Sequence, residues 1–138
     1  MKAFDHAAIP VNDMTAMLSF YEKLGFRVSE DYAPIVYSVC FGDNRINFHA
    51  PKLWQSEEFT LRGPAARPGC GDFCFVWDDS AAALATLIDD IKVPVITGPV
   101  ERQGGRAGGL RSTRALIFVI RTAICSSSLS IPMPERVP

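Results

Sequence analysis

Residues 4–26 read FDHAAIPVNDMTAMLSFYEKLGF, and the fold follows from how this stretch divides. Strand residues alternate faces, so His6 shares a face with Phe4 and Ala8, while Asp5, Ala7 and Ile9 take the other. Asp13 is a good N-cap, because its carboxylate can accept the orphan amide hydrogens of a first helical turn. Met14, Met17, Leu18, Tyr21 and Leu24 then recur at helical spacing. Gly25 can adopt the left-handed conformation that closes a helix. The expected elements are a short strand carrying one histidine, a tight turn and an amphipathic helix.

Three further strands follow, over Phe26–Glu30, Ile35–Phe41 and Arg45–His49, with Gly42-Asp43-Asn44 as the hairpin turn between the last two. Within Arg45–His49, the residues Arg45, Asn47 and His49 share one face and Ile46 and Phe48 the other. The first unit is therefore β-α-β-β-β. The chain's two histidines lie on its first and last strands.

A weak echo of the opening stretch occurs at Gly71–Ile96, GDFCFVWDDSAAALATLIDDIKVPVI. Setting Asp13 against Asp79, an offset of 66 residues, puts His6 on Asp72, Leu18 on Leu84 and Tyr21 on Leu87. This repeat rests on pattern rather than identity. Leu84, Leu87, Ile88 and Ile91 form the stripe of a second helix, capped by Asp79 or Ser80. Between the two units, residues 51–69 have no clear period and read as a linker, with Trp54, Phe59 and Leu61 packing over something. After Gly98 come a basic, glycine-rich loop (Arg102–Gly109), one apolar run (Ala115–Ile120) readable as a buried strand, and a serine- and proline-rich end.

At 138 residues, 48% hydrophobic and with a net charge of −1, the chain is expected to form one domain, divided as module one 1–50, linker 51–69, module two 70–131 and tail 132–138. A near-neutral balance gives no general attraction for nucleic acid or for an anionic membrane. No apolar run approaches the roughly 20 residues of a spanning helix. No signal peptide is visible, so a cytoplasmic protein is expected. Four cysteines are compatible with disulfides, zinc or neither. None has the C-x-x-C spacing of a structural zinc site, and all four read as free thiols.

Several motifs, in order, resemble the vicinal oxygen chelate superfamily, which includes glyoxalase I, extradiol dioxygenases and the bleomycin- and fosfomycin-resistance proteins. They are Phe4-Asp5-His6, then Phe20-Tyr21-Glu22-Lys23-Leu24-Gly25-Phe26, and Phe41-Gly42 running to Ile46-Asn47-Phe48-His49. Pro68-Gly69-Cys70-Gly71-Asp72-Phe73-Cys74-Phe75 and Gly98-Pro99-Val100-Glu101-Arg102 follow. The resemblance covers roughly residues 1–109 and is nearest to glyoxalase-domain proteins of uncertain substrate. It implies an α+β fold in which two paired βαβββ modules form a curled sheet around a metal-holding cleft.

By the same resemblance His6 and His49 are the first two metal ligands and Asp72 takes the third position, although an aspartate that begins a strand is often a turn or cap residue. Imidazole and carboxylate suit a divalent Mn, Fe, Ni, Co or Zn ion. The family's fourth ligand, a glutamate in a segment like R-D-P-D-G-N-L-L-E-F, is missing here. Phe118–Ser128, FVIRTAICSSS, spells that segment when suitable synonymous codons are read two bases along. The chain after about Gly109 therefore reads as a frameshifted version of the family's C-terminus.

The leading expectation is a metal-dependent enzyme of the glyoxalase/dioxygenase type acting on a small oxygenated molecule, impaired where the glutamate is lost. The alternative is a metal-free protein that sequesters a ligand, as bleomycin-resistance relatives do. Arg45, Trp54 and Phe59 are the candidate substrate-binding residues. Gly104–Gly109 with Arg102 and Arg106 lacks the order of a phosphate-binding fingerprint and reads as a plain loop. A homodimer is expected, because exposed edge strands favour pairing with another chain.

Overall fold

The computed structural model describes residues 2–71 and 73–95, with three two-residue strands beyond them at 102–103, 112–113 and 129–130. The fold is α+β, and its described residues divide into two compact units, with the chain boundary between Cys70 and Gly71. The first runs β1 (His6–Pro10), α1 (Met14–Lys23), β2 (Arg27–Tyr32), β3 (Val36–Phe41), β4 (Asn44–His49) and α2 (Pro51–Trp54). Its four strands make one open sheet in the order β1-β4-β3-β2. β1 runs parallel to β4, while the β4–β3 and β3–β2 pairs are antiparallel.

The sequence reasons for these elements hold in detail. Asp13 caps α1, its carboxylate accepting from Ala16 N–H at 3.0 Å. At the other end the Phe26 N–H reaches back to Tyr21 C=O at 3.0 Å, and Gly25 sits at φ 88. That is the six-to-one bond and left-handed glycine of a Schellman ending. The hairpin is tighter than expected: Asn44 already pairs with Phe41, leaving a two-residue turn with Gly42 at φ 50. A positive φ at the first central position is what a type II′ turn needs.

Helix α1 buries Met17 and Tyr21 against one face of the sheet, where Ile9, Val39, Ile46 and Phe48 are also buried. The Tyr21 ring lies 5.3 Å from Phe48 and 5.3 Å from Phe26. Residues 51–69 are not a featureless linker. They open with α2, which has proline in its first turn. Trp54 is buried, and its indole N–H donates to Val11 C=O at 3.1 Å. Leu61, by contrast, is 87% exposed and packs over nothing.

The second unit holds β5 (Phe73–Cys74), α3 (Ala81–Asp90), β6 (Arg102–Gln103), β7 (Ser112–Thr113) and β8 (Leu129–Ser130). β5 pairs in parallel with β8, and β6 antiparallel with β7. The cap of α3 is Ser80, whose hydroxyl accepts from Ala83 N–H at 3.1 Å, while Asp79 accepts from Ser80 N–H. The two caps, Asp13 and Ser80, are 67 residues apart. The buried pairs Met17/Tyr21 and Leu84/Ile88 share that same offset. The repeat is thus real as a helix pattern but one residue longer than 66, which sets His6 against Phe73 instead of Asp72. The expected strand at Ala115–Ile120 and the loop at Gly104–Gly109 lie outside the described residues. Among the described residues no helix is long and apolar enough to cross a membrane.

Candidate ligand-binding face

With α1 on one side of the four-stranded sheet, the other side carries its polar residues. Directly paired strand residues share a face, so the register lays this side out in rows. One row crosses the sheet as Arg27, Cys40, Arg45 and His6. The next is Ser29, Ser38, Asn47 and Ala8, and the following one contains Val36, His49 and Pro10. The face is cationic at one end, hydrogen-bonding in the middle and mostly apolar at the other end.

His6 begins β1 on this face, its side chain 50% exposed, with Nδ1 2.6 Å from Asp5 Oδ1. Arg45 is half-buried beside it in the ladder. Among the described residues neither Arg27 nor Arg45 is ion-paired. In the middle row the Ser38 hydroxyl donates to Asn47 Oδ1 at 2.7 Å, a bond that satisfies both groups although Ser38 is buried. Cys40, between the arginines, is a free thiol. At the far end His49 is buried and stands edge-on to Phe59, ring centroids 5.2 Å apart. Burial pushes its imidazole below the ordinary value of 6.5, because the charged form loses its hydration.

The two expected histidine ligands stand at different heights on the sheet. His6 is in register with Arg45, and His49 with Pro10, at opposite ends of the parallel ladder. Four residues of strand separate the two backbone positions by about 13 Å along the ladder. Both imidazoles do face the same side of the sheet, as alternation requires. Parallel β1 and β4 match the start of one strand with the start of the other, and the histidines occupy a start and an end. Asp72, the expected third ligand, lies outside the described residues. Among the described residues no three His, Cys, Asp or Glu side chains gather to hold an ion.

Of the candidate substrate-binding residues, Arg45 lies on the polar face and Phe59 covers its apolar end through His49. Trp54 does neither: it is 8% exposed and its only N–H is used on Val11, which makes it part of the core. Ser38, Cys40 and Arg27 were not singled out from the sequence. For Ser38 and Cys40 the signal is present in the Gly42–Asp43 turn, since a two-residue hairpin dictates which residues of β3 and β4 stand opposite each other.

Comparison with known proteins places the chain in a family. A model of the Glyoxalase/Bleomycin resistance protein/Dioxygenase superfamily matches residues 3–108. The glyoxalase domain-containing protein RDO1 of Mycosarcoma maydis is 31% identical over 104 residues, 75% of this chain and 56% of that protein. The virulence protein STM3117 of Salmonella typhimurium is 30% identical over 101 residues, 72% of this chain and 67% of that one. The chain thus spans little more than half the length of the first relative and two thirds of the second. The crystal structure of STM3117 aligns over 98% of each chain with a TM-score of 0.78 and 25% identity. Lactoylglutathione lyase from Agrobacterium tumefaciens, at 18% identity, aligns over 96% of this chain and 94% of its own with a TM-score of 0.70. The chain belongs to the Glyoxalase/Bleomycin resistance protein/Dioxygenase superfamily.

Proposed function

We propose that this protein binds a small oxygenated molecule on the polar face of its four-stranded sheet, without a metal ion shared between its two histidines. The observation that carries the reading is the β1–β4 register, which separates His6 from His49 by four ladder positions. Divalent-metal chemistry is common in the superfamily, but a Lewis-acid mechanism needs several ligands converging on one ion. The face instead offers what a ligand-holding surface needs: fixed hydrogen-bonding groups, two guanidiniums without an ion pair among the described residues, and an aromatic edge. Of the two functions that the sequence suggests, sequestration of a ligand is therefore favoured over metal-dependent turnover.

The test is a melting-temperature screen of oxygenated small molecules with and without a chelator. A ligand bound only to the folded state raises the midpoint by mass action. Stabilisation that persists in excess EDTA is the expected result. Stabilisation abolished by EDTA and restored by a divalent ion contradicts the proposal.

A further inference from the structure

The row Arg27–Cys40–Arg45–His6 contains more positive charge than the fold itself uses. Arg27 and Arg45 flank Cys40 on neighbouring strands, which puts their backbones about 10 Å apart at the usual strand spacing. Among the described residues neither guanidinium has a carboxylate partner, and Arg45 is half-buried. A partly desolvated charge without a partner is costly. Cys40 is the one residue between them in the row, and its short side chain projects less far from the sheet than either arginine. The nearby Asp5 carboxylate is engaged with His6 Nδ1. In the neutral tautomer that donates Nδ1–H to Asp5, His6 Nε2 is a hydrogen-bond acceptor.

Resting on the proposed binding role of this face, we propose that the row is an anion subsite. It takes a carboxylate or phosphonate over Cys40, between Arg27 and Arg45, from a ligand whose adjacent carbon carries a hydroxyl donated to His6. The ligand's apolar body then runs along β3 and β4, past the Ser38–Asn47 hydrogen bond, towards Val36 and Phe59. Four residues of strand, about 13 Å, separate the charged row from the apolar one, so the fitting ligand is an elongated hydroxy acid rather than a compact one. Bidentate recognition of an oxyanion is what guanidinium supplies and ammonium does not.

Binding of 2-hydroxy-4-phenylbutanoate, its uncharged methyl ester and 3-phenylpropylphosphonate, measured by calorimetry, tests this. The proteins are the full chain and its Arg45→Gln, Arg27→Gln and Arg67→Gln variants, with Ser38 and Asn47 amide signals followed in parallel. At least one acid should bind tenfold or more tightly than the ester. Arg45→Gln and Arg27→Gln should each erase most of that preference, Arg67→Gln should keep it, and the unchanged Ser38 and Asn47 signals of ligand-free variants confirm their fold. Which acid binds separates carboxylate from phosphonate. Acid and ester binding equally while both shift Ser38 and Asn47 overturns the anion subsite and leaves the binding face standing. An acid preference that survives both substitutions also overturns the subsite, and failure of all three compounds to bind overturns it together with the binding role.

Discussion

The ring of Phe59 stands edge-on to the His49 imidazole, with centroids 5.2 Å apart and planes at 81°. The contact seals the last strand of the sheet under the segment that follows it, and it keeps the imidazole out of water. Folded-state protonation is thereby disfavoured, and burial lowers the His49 pKa below 6.5. Above 6.5 both folded and unfolded chains hold a neutral imidazole and the group has no effect. Below it the unfolded chain takes up a proton that the folded chain resists, so stability falls as pH falls. The urea midpoint of the native chain should drop between pH 7.5 and pH 5.5 by more than that of His49→Gln. Equal drops contradict the burial of His49 as a neutral group.

Trp54 ties the chain after β4 to the end of β1 through its bond to Val11 C=O. Replacing it with phenylalanine keeps most of the apolar area but leaves that carbonyl without its donor, at a cost of about 1–2 kcal/mol. Trp54→Ala also opens a cavity and should cost about 3–5 kcal/mol. Urea unfolding of the two variants measures both. A ligand-lining tryptophan, in contrast, would alter binding while leaving stability nearly untouched.

The four-stranded sheet ends in β1 and β2, and an edge strand presents unpaired backbone groups to any neighbour. A homodimer is expected. Light scattering across a dilution series should give twice the chain mass, and a monomer mass throughout rules it out.

The family match ends at residue 108, beside the position where the shifted reading of the tail begins. The gene should carry, over Phe118–Ser128, synonymous codons that spell R-D-P-D-G-N-L-L-E-F two bases along. Codons that spell anything else remove the frameshift account.

Much of the first unit was legible in its residues. Asp13, the Met17–Tyr21 spacing and Gly25 fix a helix by local chemistry alone, and alternation in β4 separates Phe48 from His49 correctly. For His6 and His49, alternation reports a shared face but not a height along the strand. That height comes from the β1–β4 register, a contact between segments some forty residues apart, which no local pattern contains. The repeat offset slipped by one for a related reason: Asp79 and Ser80 are both good caps, and only packing of Leu84 and Ile88 decides between them. Trp54 was assigned to a cleft because an aromatic side chain suits a core and a ligand site equally well.

The most direct test of the central claim uses the fact that the chain has two histidines, so their ring signals are readily assigned by NMR. Zinc is titrated into the metal-free protein while both imidazoles are followed. The account predicts that no single equivalent of zinc moves the two rings together, and that His49→Ala leaves the His6 response unchanged. One equivalent that shifts both rings in parallel, with the response lost in either alanine variant, would place them on one ion and contradict it.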